Sequence, residues 1–210
     1  MKINSLYSYF LVFSLLFSVG MFSSCASTDT KTEETTQENT TDETNTETLD
    51  TDQAAPTKFA SLDEMVVDLG DYSADNNTYE KMSDAKIRIS PAVPASADEA
   101  QTQDIVKASL VTMVMRSFIH TDLNEVSIKV VPQKASMNPE EAKMMEKYTR
   151  EATITRQKAE EVAKQYAGTD LNSLVGNKIG DLFRADMPND NLEKLRSENL
   201  NEVFSALTGK

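Results

Sequence analysis

The chain has 210 residues, one cysteine and one histidine, and its 34 acids against 21 bases give a formal charge of −13. That balance opposes nucleic-acid binding, which relies on Lys and Arg to neutralise phosphates. A lone Cys25 leaves no intramolecular disulfide and no Cys-based zinc site.

Residues 1–24 read as a targeting segment: Lys2 in a short n-region, an apolar run from Leu6 to Met21, then Ser23 and Ser24 ahead of Cys25. The run is shorter than the roughly 20 residues a membrane span needs, and it contains Ser8, Ser14, Ser18 and Gly20. Phe22-Ser23-Ser24-Cys25 stands where bacterial lipoprotein precursors carry their lipobox, and over these first 25 residues the chain resembles that class. The resemblance implies that the Cys25 thiol takes a diacylglycerol before cleavage and becomes the first residue of the mature chain. The protein would then be lipid-anchored in the cell envelope, on a membrane outside the cytoplasm, at the outer membrane or cell surface. Phe22 departs from the class, where Leu is commoner. An ordinary secretory signal, cut after a small residue such as Ala26, is the other reading.

The next segment predicts a disordered acidic, Thr-rich tether over 25–57. Residues 26–56 hold nine carboxylates and only Lys31, a net of −8, and almost nothing apolar. Such a stretch cannot bury enough surface to offset its ordering entropy. It would span about 30 Å on average and about 110 Å when taut, and its charge repels anionic headgroups.

Residues 58–210 predict a single α+β domain. A capping box of Ser61 and Glu64 opens a short helix through Leu62, Met65, Val66 and Leu69, ended by Gly70. Asp71 to Ser83 is polar and loop-like, and Lys86 to Ser90 alternates as a strand stopped by Pro91 and Pro94. A second box, Ser96 with Glu99, predicts a long central helix to about His120, apolar on nearly every side in its latter half. Glu125 to Val131 and Tyr148 to Thr155 predict an antiparallel strand pair, interrupted by a short helix at Asn138-Pro139-Glu140-Glu141. Thr155 caps a helix ended by Gly168, and two further C-terminal helices are expected over Leu171 to Phe183 and Leu200 to Leu207. A small antiparallel sheet packed on the long central helix buries both elements most simply.

Motifs with chemistry are sparse. His120, alone, cannot build a typical zinc site, and in the last helical turn a partly cationic ring is favoured by the helix dipole. Ser83-Asp84-Ala85-Lys86 matches Ser-x-x-Lys, but Lys86 is predicted to begin a strand, whereas that motif needs a helix to align both side chains. Asp68, Asp71, Asp75, Asn76 and Asn77 fit no calcium-loop spacing. Gly176 and Gly180 form a Gly-x-x-x-Gly suited to close helix packing. Met113, Met115, Met137, Met144 and Met145 read as core, with a Met-lined groove as the functional alternative.

The sequence therefore predicts no catalytic, cofactor-binding or metal residue, and one lipid-attachment site, Cys25. The expected function is a membrane-tethered envelope lipoprotein with a non-enzymatic binding or structural domain. Its membrane contact would run through the lipid on Cys25, with an envelope protein as possible partner. The rival is a cell-envelope hydrolase whose acidic residues converge only in three dimensions.

Overall fold

The computed structural model describes residues 55–136, 142–179 and 182–210. Cys25, the 1–24 leader, most of the tether, Met137, the Pro139 helix and Gly180 lie outside the described residues. The described chain is α+β.

Helix α1, Leu62–Leu69, begins as its cap predicts, with Ser61 Oγ accepting from the Glu64 N–H at 3.2 Å. The Glu64 carboxylate reaches back to the Ala60 N–H at 3.0 Å, one residue before the cap. Strands β1 (Tyr79–Ser83) and β2 (Lys86–Ile89) then form a hairpin. The loop reading of Asp71 to Ser83 is thus corrected over its last five residues. Tyr79 is the reason: its ring is buried, its hydroxyl donates to Asp63 Oδ1 at 2.9 Å, and β1 is thereby tied to α1. Beside it Arg88, also buried, donates to Glu80 at 2.8 Å and to Asn77 Oδ1 at 2.9 Å. These bonds pin the 73–78 loop, in which Asn77 adopts φ 57°, a conformation Asn tolerates better than most residues.

After the two-residue strand β3 (Ala92–Val93), helix α2 spans Glu99–His120. Its cap is Asp98, not Ser96: Asp98 accepts from the Gln101 N–H, and Gln101 Oε1 accepts from the Asp98 N–H. Asp and Gln complete the same reciprocal pair as Ser and Glu, two residues further on. Strand β4 (Glu125–Val130), the short β5 (Gln133–Lys134) and β6 (Arg150–Thr155) follow.

The main sheet runs β1-β2-β4-β6, and β4 pairs antiparallel with β6 as expected. The sheet is nevertheless mixed, because β2 and β4 are parallel, with Ile87 opposite Ile128. The long α2 is the crossover a parallel pair requires, returning the chain to the end from which β2 started. Alternation sends Val126, Ile128 and Val130 into the core, while Arg88, Lys129 and Glu151 form a cross-strand row on the other face. Helix α2 contacts β4 and β6 and also α3 (Arg156–Tyr166) and α5 (Leu200–Thr208), which accounts for its all-round apolarity. Among the described residues no helix is long and apolar enough to cross a membrane.

The helix expected over Leu171 to Phe183 is instead a hairpin, β7 (Val175–Ile179) and β8 (Leu182–Pro188). Gly176 adopts φ 92°, and a Cβ there would lie 3.0 Å from Phe183 Cζ, so this glycine serves a strand and the ring crossing it. Asn189 closes the base: its Nδ2 donates to the Ser173 and Val175 carbonyls at 3.0 Å, and its Oδ1 caps α4 (Asp190–Glu193). A π-turn over Lys194–Glu198 leads into α5.

Candidate functional site

Ser109, Thr112, Met113, Arg116 and His120 recur three or four residues apart along α2 and so share one stripe. The upper part of this stripe forms one wall of a cleft of about 470 Å³. Tyr72 and Asp71 from the loop after α1, Pro188 at the end of β8 and Arg196 in the π-turn supply the rest. A second cleft, lined by Asp68, Arg184 and Asp186, shares Arg116 and Pro188 with the first. Val67 and Met187 are exposed apolar side chains in the elements that line this second cleft.

Arg116 is central to both clefts. Only 8 % of it is exposed, one Nη donates to the Asp71 carboxylate, and its Nε–H is buried with no partner among the described residues. A buried guanidinium is costly unless paired. Burial holds it below the ordinary arginine range, Asp186 pulls it back up and Arg196 pushes it down further. Tyr72 is hydrogen-bonded to Ser109, and burial raises its phenol above the usual range against the opposing effect of that bond. Arg196 Nε donates to Glu193 at 2.6 Å and thereby holds that carboxylate below its usual range.

One turn beyond Arg116, His120 is fully buried. Its Nδ1 lies 2.9 Å from the Thr57 carbonyl, so the tautomer that satisfies both carries the proton on Nδ1. Asp186 accepts from the Thr57 N–H and hydroxyl, both at 2.7 Å, and its carboxylate stands 3.7 Å from His120 Nδ1. The Phe59 N–H donates to the His120 carbonyl at 2.7 Å, and Lys58 pairs with Asp122 at 3.4 Å. Residues 57–59, where the acidic segment meets the fold, are thus clamped between the end of α2 and β8.

The partly cationic His120 expected from the helix dipole is corrected: desolvation dominates and lowers its pKa, opposed by Thr57 and Asp186 and assisted by Arg116 and Lys58. Its Nε2 has no described partner for a second proton. Above about pH 6.5 the ring is neutral in both folded and unfolded chains, and the clamp is at full strength. As the pH falls below 6.5, the unfolded ring takes up a proton that the folded one resists, so stability is lost. The urea midpoint is therefore expected to be lower at pH 5.5 than at pH 7.5, and His120→Asn should flatten that slope. Since the chain has one histidine, an equal slope in the variant would refute the assignment.

The other sequence candidates are placed elsewhere. Ser83 and Lys86 face each other across the β1–β2 turn, and the Lys86 ammonium is held by Glu151 at 2.6 Å. In the Asp68 to Asn77 stretch, Asp71 serves Arg116, Asn76 accepts from Thr78, and Asn77 accepts from Arg88. Met113 and Met115 are buried in α2, with Met113 also lining the first cleft, and Met145 packs against the core. The sequence reading passed over Arg116, Asp186, Arg196 and Tyr72. One signal was present: Arg116 is a lone charge within the apolar run Met113 to Ile119, and a buried arginine requires an anionic partner.

Comparison with protein-family models, with curated proteins and with solved structures returned no match to this chain.

Proposed function

We propose that the protein is an exported lipoprotein, acylated at Cys25, whose α+β domain is a binding module presented to an envelope partner on an acidic tether. The observation that carries this reading is the clamp at Thr57–Phe59. The chain enters the fold directly where the −8 segment of residues 26–56 ends, and it is gripped there by His120, Asp122 and Asp186. A pull transmitted along the tether would be borne by the central helix and β8. The two acyl chains of one thiol-linked diacylglycerol would supply anchoring that a single chain does not.

The side chains around the clefts support binding over hydrolysis. Asp71 is engaged by Arg116, Glu193 by Arg196 and Asp186 by Thr57, and Glu193 is shifted away from the range a general acid needs. Asp68 is the one lining carboxylate of the two clefts without a partner among the described residues, short of the pair that glycoside hydrolysis uses. His120 is fully buried, so its Nε2 is closed to solvent.

Cys25→Ser is the test. The wild-type chain is expected in the membrane fraction with a diacylglycerol-bearing N-terminal Cys25 by mass spectrometry, and the variant is expected to leave that fraction. Unchanged fractionation, or a mature N-terminus downstream of Cys25, would overturn the reading.

A further inference from the structure

We propose that the cleft between α2, the Asp71–Tyr72 loop and the Pro188–Arg196 turn binds a small molecule bearing an oxyanion, carboxylate or phosphate, through the free N–H groups of Arg116 and Arg196. This inference names the ligand chemistry of the binding module and rests on that reading.

Donor supply is the first reason. A guanidinium carries five N–H groups and no acceptor. Arg116 directs one Nη to Asp71 and its other Nη has no partner among the described residues, whereas its unpartnered Nε–H is closed to solvent. Arg196 directs Nε to Glu193, and no described residue accepts from its Nη groups. Guanidinium N–H groups with no protein acceptor at a cleft are open to an incoming one. Planar guanidinium forks match the paired oxygens of carboxylates and phosphates.

Charge is the second reason. Arg116 and Arg196 are the cations of the lining and Asp71, with its side chain 43 % exposed, is the one carboxylate there, while Glu193 pairs with Arg196 and Asp186 acts on Arg116 from outside the lining. Arg196 is close enough to disfavour the charge on Arg116, an effect that Asp186 outweighs, so the anion's gain comes from meeting the open guanidinium N–H groups and from displacing no existing pair. Shape is the third. About 470 Å³ exceeds the needs of a bare ion and falls within the range of small-molecule sites. Thr112 adds a hydroxyl, while Met113, Pro91 and Pro188 give an apolar wall. The ligand is therefore an oxyanion head on a short, partly apolar body.

Isothermal titration of the full chain in detergent at pH 7 tests this, with inorganic phosphate in one arm and acetyl-Ala-Ala, free at its C-terminal carboxylate, in the other. Acetyl-Ala-Ala amide is the uncharged control. Saturable binding is expected for at least one oxyanion and not for the amide, and the tighter arm identifies the head group. Arg196→Gln, at a half-buried position, should weaken binding by about tenfold or more, and Arg116→Met should do so if it keeps a native circular-dichroism spectrum. No saturable heat in either arm, equal binding of the amide, or undiminished binding to Arg196→Gln would each overturn the assignment. Membrane release of Cys25→Ser is read independently, so failure here is distinguishable from failure of the anchored-module reading.

Discussion

Phe118→Ala is expected to lower the unfolding free energy by about 3 to 5 kcal/mol, read as a fall in urea midpoint at constant slope. Phe118 is fully buried in α2 and is among the largest side chains of the core. Truncation removes its transfer free energy and leaves a void that the sheet on one side of α2 and the helices packed on it can only partly fill. Against a total of roughly 5 to 15 kcal/mol, that loss takes a large share of the domain's stability. A shift corresponding to under about 1 kcal/mol would mean that α2 is not the centre of the core.

The second large effect is expected at Arg156, the first residue of α3. Its guanidinium donates to the carbonyls of Phe118 at 2.8 Å, Thr121 at 2.6 Å and Leu123 at 3.1 Å, and it lies 5.2 Å from the centre of the Phe118 ring. Carbonyls at a helix C-terminus lack intrahelical donors, and a cation there also complements the dipole. Arg156→Met is expected to cost about 2 kcal/mol, since bonds to a charged group are worth more than neutral ones but the group is only half-buried. A double-mutant cycle with Phe118→Ala should give a coupling of about 0.5 to 2 kcal/mol. Because His120 closes the same helix end, hydrogen exchange of the Phe59 amide, bonded to the His120 carbonyl, should quicken in Arg156→Met. Protection equal to wild type would separate the cap from the clamp.

Local signals were legible where one residue's chemistry decides one backbone feature. Ser61 and Thr155 cap the helices they were expected to cap, Gly70 ends α1 at φ 68°, and the alternation of Val126, Ile128 and Val130 survives as buried positions of β4. The errors share a cause. Leu171 to Phe183 has helical apolar spacing, yet Gly176 at positive φ, the Phe183 ring over it and Asn189 bonded to the Ser173 and Val175 carbonyls favour a hairpin. Asn189 lies beyond that segment, and the packing of the Phe183 ring on Gly176, though inside it, is a contact that apolar spacing does not register. Asp98 in place of Ser96 is a milder case, with two residues of equivalent capping chemistry competing for one helix start.

By itself the sequence determined the α+β class, the central position of α2 and the antiparallel pairing of β4 with β6, because hydrophobic period and capping chemistry act over a few residues. Only the tertiary structure decided that β2 and β4 run parallel, that Arg116 shares a cleft with Arg196, and that His120 is buried against Thr57 and Asp186. Those partners lie 41 to 80 residues apart, and the cost of desolvating a charge is set by whatever the fold brings beside it.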